Sequence, residues 1–137
     1  MERKRTSVGL DVHARSVVAC GIDDNNGEVF RARLVPDPTS VLAWLRGLPG
    51  PVAVVYEAGP TGYGLARFLT GQGLRCVVAA PSKMQRPSGD RIKTDARDAL
   101  LLARLLRLGE IVEVTVPTLA QEAARDLVRP GRTSEAI

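Results

Sequence analysis

Residues 7–35 read SVGLDVHARSVVACGIDDNNGEVFRARLV, and the architecture is decided there. Ser7 to Val12 and Ser16 to Ile22 are short β-rich runs. The second ends in Asp23-Asp24-Asn25-Asn26-Gly27, a dense cluster of turn-forming residues, and Glu28 to Val35 returns as a third strand. Tight turns between the three imply an antiparallel meander. In the first strand, side-chain alternation sets Val8, Leu10 and Val12 on one face and Gly9 with Asp11 on the other.

Outward from the meander the pattern changes. Pro38 to Gly47 reads as a short helix, with Val41, Leu42 and Leu45 at helical spacing. Pro51 to Tyr56 is a nearly continuous apolar run, as a buried parallel strand requires. Pro60 to Gly71 reads as a helix with Pro near its start and Gly at its end. Leu74 to Ala79 is a second buried strand, and Pro81 to Lys93 a basic, irregular connection. Thr94 to Leu108 is the strongest helix, capped by Thr94 and closed by Gly109. Ile111 to Val116 reads as extended and Leu119 to Val128 as a last helix. The order β-β-β-α-β-α-β-α predicts an α/β fold of the ribonuclease-H type, a mixed five-stranded sheet with helices on both faces.

A length of 137 residues suits one domain with a real core and is too short for two. The formal charge of +4 permits a polyanionic partner without requiring one. One Trp, two Tyr and two Phe are too few for a base-stacking platform, which argues against single-strand binding through stacked rings. Cys20 and Cys76 sit inside apolar runs with no His-Cys cluster, so neither a disulfide framework nor a zinc site is expected. The charged start is followed by an apolar stretch broken by Asp11, His13 and Arg15, which is no signal peptide, and no run reaches membrane-span length. A cytoplasmic protein with no membrane partner is expected.

Four carboxylates stand where a packed α/β domain has little use for them. Asp11 lies within the first strand, where a buried acid is costly without a partner; alone, it could equally be a solvated strand end or meet an Arg. Glu57 ends the run Val52-Ala53-Val54-Val55-Tyr56, at the carboxyl end of a parallel strand, where α/β sheets place ligands. Interaction with the positive end of the next helix accounts for it equally well. Asp95 and Asp98 head the apolar stripe of the strongest helix, through the rows Asp95, Ala99, Leu102, Leu106 and Asp98, Leu102, Leu105. Stabilising a helix dipole would not require that orientation, whereas a cation would. Close carboxylates ionise together only around a cation, and hard oxygen ligands suit Mg²⁺ or Mn²⁺. Two such ions about 3.5–4 Å apart stabilise both oxygens of a phosphodiester displacement.

Lys83, Arg86, Arg91, Lys93 and Arg97 crowd the approach to the last two acids, a layout suited to phosphate contacts with DNA or RNA. A merely solvated charged face is the plainer alternative. His13 sits in a turn and reads as a surface residue. Tyr63 reads as packing or a phosphate contact rather than a nucleophile. GPTGYG at 59–64 lacks the spacing of a dinucleotide-binding loop.

Three segments, VGLDVH at 8–13, YEAGPTGY at 56–63 and GDRIKTDARDA at 89–99, resemble the DEDD transposases of insertion sequences, relatives of the Piv pilin-gene DNA invertase with a RuvC-like N-terminal domain. The likeness runs from about Ser7 to Arg129, and its most specific part is K-T-D-x-x-D-A. It implies that Asp11, Glu57, Asp95 and Asp98 are the metal-binding quartet. Asp11 would bridge the metals, Glu57 and Asp95 would complete their shells, and Asp98 would ligate or orient, while Arg91, Lys93 and Arg97 contact phosphate. The implied division is a RuvC-like DEDD domain over 1–117, then the start of a helical linker and an irregular tail over 118–137. In the family a long helical region and a serine-containing second domain follow, and recombination needs both domains. A guide RNA in characterised relatives and a homo-oligomeric full-length protein belong to the same implication. Pro130-Gly131 breaks the helix where the family continues it, and Ser134 is not the catalytic serine. A truncated transposase or an isolated N-terminal domain is therefore expected. The rivals are a non-catalytic nucleic-acid-binding or dimerisation module, a Holliday-junction-resolvase-like nuclease, and a fragment of a sugar-kinase or actin-like ATPase, for which a second domain would be required.

Overall fold

The computed structural model describes residues 4–81 and 91–128, with the side chains of 91–96 and 126–128 outside that description. The chain runs β1 (Thr6–Val12), β2 (Val17–Asp23), β3 (Val29–Leu34), α1 (Pro38–Arg46), β4 (Val52–Glu57), α2 (Gly64–Gly71), β5 (Arg75–Ala79), α3 (Arg91–Leu108), β6 (Glu113–Val114) and α4 (Leu119–Val128). The sheet order is β3-β2-β1-β4-β5-β6. The meander β1-β2-β3 is antiparallel, β4 and β5 add in parallel to β1, and β6 returns antiparallel to β5. This is the mixed α/β, ribonuclease-H-like plan. The extended segment after α3 joins it as a two-residue sixth strand, held where Ala80 N–H donates to Val112 O at 2.8 Å.

The two sheet faces are packed differently. Val8, Leu10, Val17, Val54, Tyr56 and Val78 face α1 and α2, contributing to one core with Val41, Leu45 and Leu69. Ala53, Val55, Val77 and Ala79 face α3 through Leu102 and Leu106, and Val18 and Cys20 meet Ala99. The residues on this second face are small, so α3 lies close to the sheet. Gly9 marks the tightest point. A Cβ there would fall inside contact distance of Ala99 O, 2.7 Å from Ala103 N and 2.8 Å from the Leu102 Cβ. Only glycine admits the helix backbone that near.

Two helix starts differ from the sequence expectation. The helix expected from Pro60 begins at Gly64, because residues 58–63 form a loop that turns at Gly62 (φ +78). Tyr56 fixes this loop from below: its hydroxyl donates to Gly62 O at 3.2 Å and accepts from Ala66 N–H at 3.1 Å. The Tyr56 hydroxyl thereby caps a first-turn N–H of α2, whose N-cap Tyr63 supplies no side-chain bond. The second difference is α3, which already includes Arg91, so Thr94 is an interior residue and not the cap. Arg91 and Lys93 belong to that helix rather than to an irregular connection. Side chains cap α1 and α4. Asp37 accepts from Thr39 and Ser40 at the start of α1, and Thr118 and Gln121 form a reciprocal capping box before α4.

Candidate functional site

The sheet register brings Asp11 and Glu57 together. β1 and β4 run parallel with Gly9 opposite Val55 and Leu10 opposite Tyr56, and one further step in that register sets Asp11 beside Glu57. Both lie on the α3 face, Asp11 by alternation from Gly9 and Glu57 from Ala53 and Val55. Neighbouring strands are about 4.8 Å apart, so the two acidic positions lie side by side at the carboxyl ends of adjacent parallel strands. Ala58 N–H donates to Ala79 O at 2.9 Å, extending the order of β4 just past Glu57.

Helix α3 supplies the third carboxylate. Its C-terminal end lies toward the start of β1, since Arg107 Nε meets Asp24 Oδ1 at 3.4 Å while Asp24 N–H donates to Arg5 O at 2.6 Å. With Ala99 over Gly9, the preceding residues of α3 extend toward the Asp11 end of β1. Asp98 is half-buried at that end, and its Oδ2, like Asp11 Oδ2, is closed off from solvent. The buried stripe Ala99, Leu102, Ala103 and Leu106 continues behind it. Asp95 lies one turn earlier in α3, well inside the helix rather than in its first turn, which removes dipole stabilisation as its explanation. Its side chain lies outside the described residues, as do those of Arg91 and Lys93 and the whole of Lys83 and Arg86. Arg97 is exposed on α3.

His13 keeps a side chain 39% exposed, as a surface residue would, yet its imidazole Nε2 comes within 3.2 Å of Asp11 Oδ1, whose side chain is 12% exposed. Strand parity was the available signal, because residues 11 and 13 share a face across the strand end. Tyr63 packs against the main core, the first of its two expected roles. Tyr56 escaped the sequence reading entirely, although a buried tyrosine needs a polar partner and the following GPTG loop offers one. Burial raises its hydroxyl pKa to about 12.

Among the described residues, no group of three or more His, Cys, Asp or Glu side chains is arranged to hold a metal ion. The acids at this end of the sheet are nonetheless an all-oxygen donor set, matched in chemistry to a hard divalent cation and unsuited to zinc. Cys20 and Cys76 are free thiols away from it, Cys20 buried on β2. Among the described residues no helix is long and apolar enough to cross a membrane.

Comparison with known proteins adds an independent finding. Residues 8–133 match the model of the DEDD transposase family of the IS110 type, described as transposase. A protein named as a transposase, y4qE of Sinorhizobium fredii (strain NBRC 101917 / NGR234), is 43% identical over 132 residues, covering 93% of this chain and 34% of that protein. The transposase for insertion sequence element IS1533 of Leptospira borgpetersenii is 33% identical over 132 residues, covering 93% of this chain and 38% of its own length. The chain thus spans about a third of the length of these relatives.

Proposed function

The chain belongs to the DEDD transposases of the IS110 type, and from that premise we propose that Asp11, Glu57, Asp95 and Asp98 are its metal-binding quartet, serving DNA phosphodiester cleavage and strand transfer. The observation that carries this reading is the parallel register that sets Asp11 beside Glu57 under the end of α3 bearing Asp98. Like charges so arranged on one face repel unless a cation offsets them. Bound Mg²⁺ or Mn²⁺ would supply charge stabilisation to the attacking and leaving oxygens of the phosphodiester.

The chain's own groups have distinct tasks. Asp11, on the innermost strand of the site, would hold the metal ions together with Glu57 and Asp95, and Asp98 would ligate or orient. His13, at 3.2 Å from Asp11 Oδ1, holds the carboxylate so that its other oxygen faces inward. Tyr56 keeps the loop after Glu57 from shifting. Arg97, with Arg91, Lys93, Lys83 and Arg86, contacts DNA phosphates near the reacting bond. On this reading the domain would supply the metal-dependent step of a longer cytoplasmic homo-oligomer that takes DNA and a guide RNA, with the linker beginning at about residue 118.

Calorimetric titration with Mn²⁺ and with Mg²⁺ tests the reading. At about 100 times its Kd, a ligand that binds only the folded state raises stability by about 2.7 kcal/mol, so the melting temperature should rise with metal. Asp11→Asn and Asp98→Asn should each abolish that rise and any metal-dependent nicking of DNA. If wild type and both variants give identical flat titrations, the domain is a non-catalytic nucleic-acid-binding or dimerisation module.

A further inference from the structure

Helix α3 covers β1, β2 and β4 and leaves the same face of the edge strand β3 open. Positions 29, 31 and 33 of that strand are exposed, so Arg31 and Arg33 stand on the face that carries Asp11. Register fixes how they relate to the site. Arg33 pairs with Val18 and Val18 with Asp11, while Arg31 pairs with Cys20 and Cys20 with Gly9. Arg33, Val18, Asp11 and Glu57 therefore form one row across the sheet, with Arg33 two strand spacings, about 10 Å, from Asp11.

Between the strands lies a depression of about 270 Å³ lined by Val18, Ala19, Cys20, Arg31, Ala32 and Arg33. Arg104 is exposed on the helix packed over β2, and the Cys20 thiol lining the depression interacts with Arg31 and lies in the field of Arg104. Neither β2 between Val17 and Ile22 nor β3 carries an acid, and Arg33 donates to the neutral Ser16 hydroxyl at 3.2 Å. Arg107 is different, since Asp24 already neutralises it at 3.4 Å.

We propose that the open face of β3, with Arg31 and Arg33, and Arg104 opposite on α3 form a groove for the phosphate backbone of DNA, leading to Asp11. Two residues along a strand advance about 6.8 Å, comparable to the step between successive phosphates of one strand. Guanidinium groups suit phosphate because their planar donors engage two oxygens at once. Edge-strand charges also serve to block strand pairing between molecules, but that purpose does not require a third cation on a facing helix or alignment with the acidic row. The proposal rests on the reading of the acidic site and extends it to how DNA is led there.

The test is fluorescence anisotropy of the 137-residue chain with a labelled DNA duplex in EDTA, over a salt series. Arg31→Ala/Arg33→Ala and Arg104→Ala should weaken binding at least about tenfold together, and each lost contact should lower the slope of log K against log salt by about 0.9. Arg75→Ala, at an exposed position on β5 toward the other edge, should change neither. Unaltered affinity in the groove variants, equal loss with Arg75→Ala, or no binding by wild type would overturn the groove. So would oligomers in gel filtration with DNA affinity intact, the outcome of a purely protective edge. Metal-dependent nicking, lost in Asp11→Asn, separates the two readings: groove variants that bind normally while nicking depends on Asp11 sink the groove alone. Groove-dependent binding without any Asp11-dependent nicking sinks the catalytic reading alone.

Discussion

Replacing Gly9 by alanine is the sharpest test of how the site is built. The added Cβ would stand 2.7 Å from Ala103 N and 2.8 Å from Leu102 Cβ, and closer still to Ala99 O. Two of these atoms are helix backbone and cannot rotate away. Ordinary contact begins near 3.4 Å, so α3 must retreat from β1 by at least about 0.7 Å. A gap of that size forfeits a quarter to a half of the dispersion energy of each contact it opens, along the line of Ala99, Leu102, Ala103 and Leu106. Overpacked cores typically lose about 1–3 kcal/mol, and the rigidity of the obstruction places Gly9→Ala at about 3 kcal/mol. In a domain of this size that lowers the melting temperature by about 10 °C. Asp98 moves with the helix, so affinity for Mn²⁺ should fall along with stability. Gly59→Ala is the control, because a Cβ there meets nothing within 4 Å; it should be neutral or stabilise by up to about 1 kcal/mol. Urea denaturation followed by circular dichroism measures both. A Gly9→Ala protein with wild-type midpoint would refute the seating of α3 on β1.

Two further predictions concern Tyr56 and Cys76. Tyr56→Phe strands Ala66 N–H and Gly62 O and should cost about 1–3 kcal/mol in urea. The alkaline limb of stability should begin near pH 9. Burial raises Cys76 to about 12 from 9.0 and Tyr56 to about 12 from 10.0, so both favour the folded state below their unfolded pKa and lose that contribution as pH climbs toward 12; Cys76→Val should delay the onset. At the other end of β1, Arg5 donates to buried Asp23 at 3.1 and 3.3 Å and Asn25 N–H donates to it at 2.8 Å, holding its carboxyl below the ordinary 3.8. The stability this gives is present above pH 3.8 and is lost as pH falls through the lowered value. Arg5→Ala should therefore flatten the acid limb of a melting-temperature profile and lower its plateau.

The meander, the two buried parallel strands and the faces of Asp11 and Asp98 were legible in the sequence because each depends on local periodicity. Val8 and Leu10 alternate with Gly9 and Asp11 whatever else the chain does, and Ala99, Leu102 and Leu106 recur at helical spacing in any fold. Helix starts were less legible. Gly64 rather than Pro60 begins α2 because the Tyr56 hydroxyl pins the intervening loop. Thr94 looks like a cap, yet it lies inside α3, which already includes Arg91.

The sequence by itself determined which residues share a face, the hard-oxygen chemistry of the acids and, through its motifs, the family. Tertiary structure alone decided that Asp11 and Glu57 take neighbouring positions on adjacent strands, that Gly9 seats α3 with Asp98 toward the same end, that His13 turns back onto Asp11 and that Arg33 shares Asp11's row. The reason is physical. Periodicity is a property of one segment, whereas register and close approach arise between segments separated by tens of residues, and only packing fixes them.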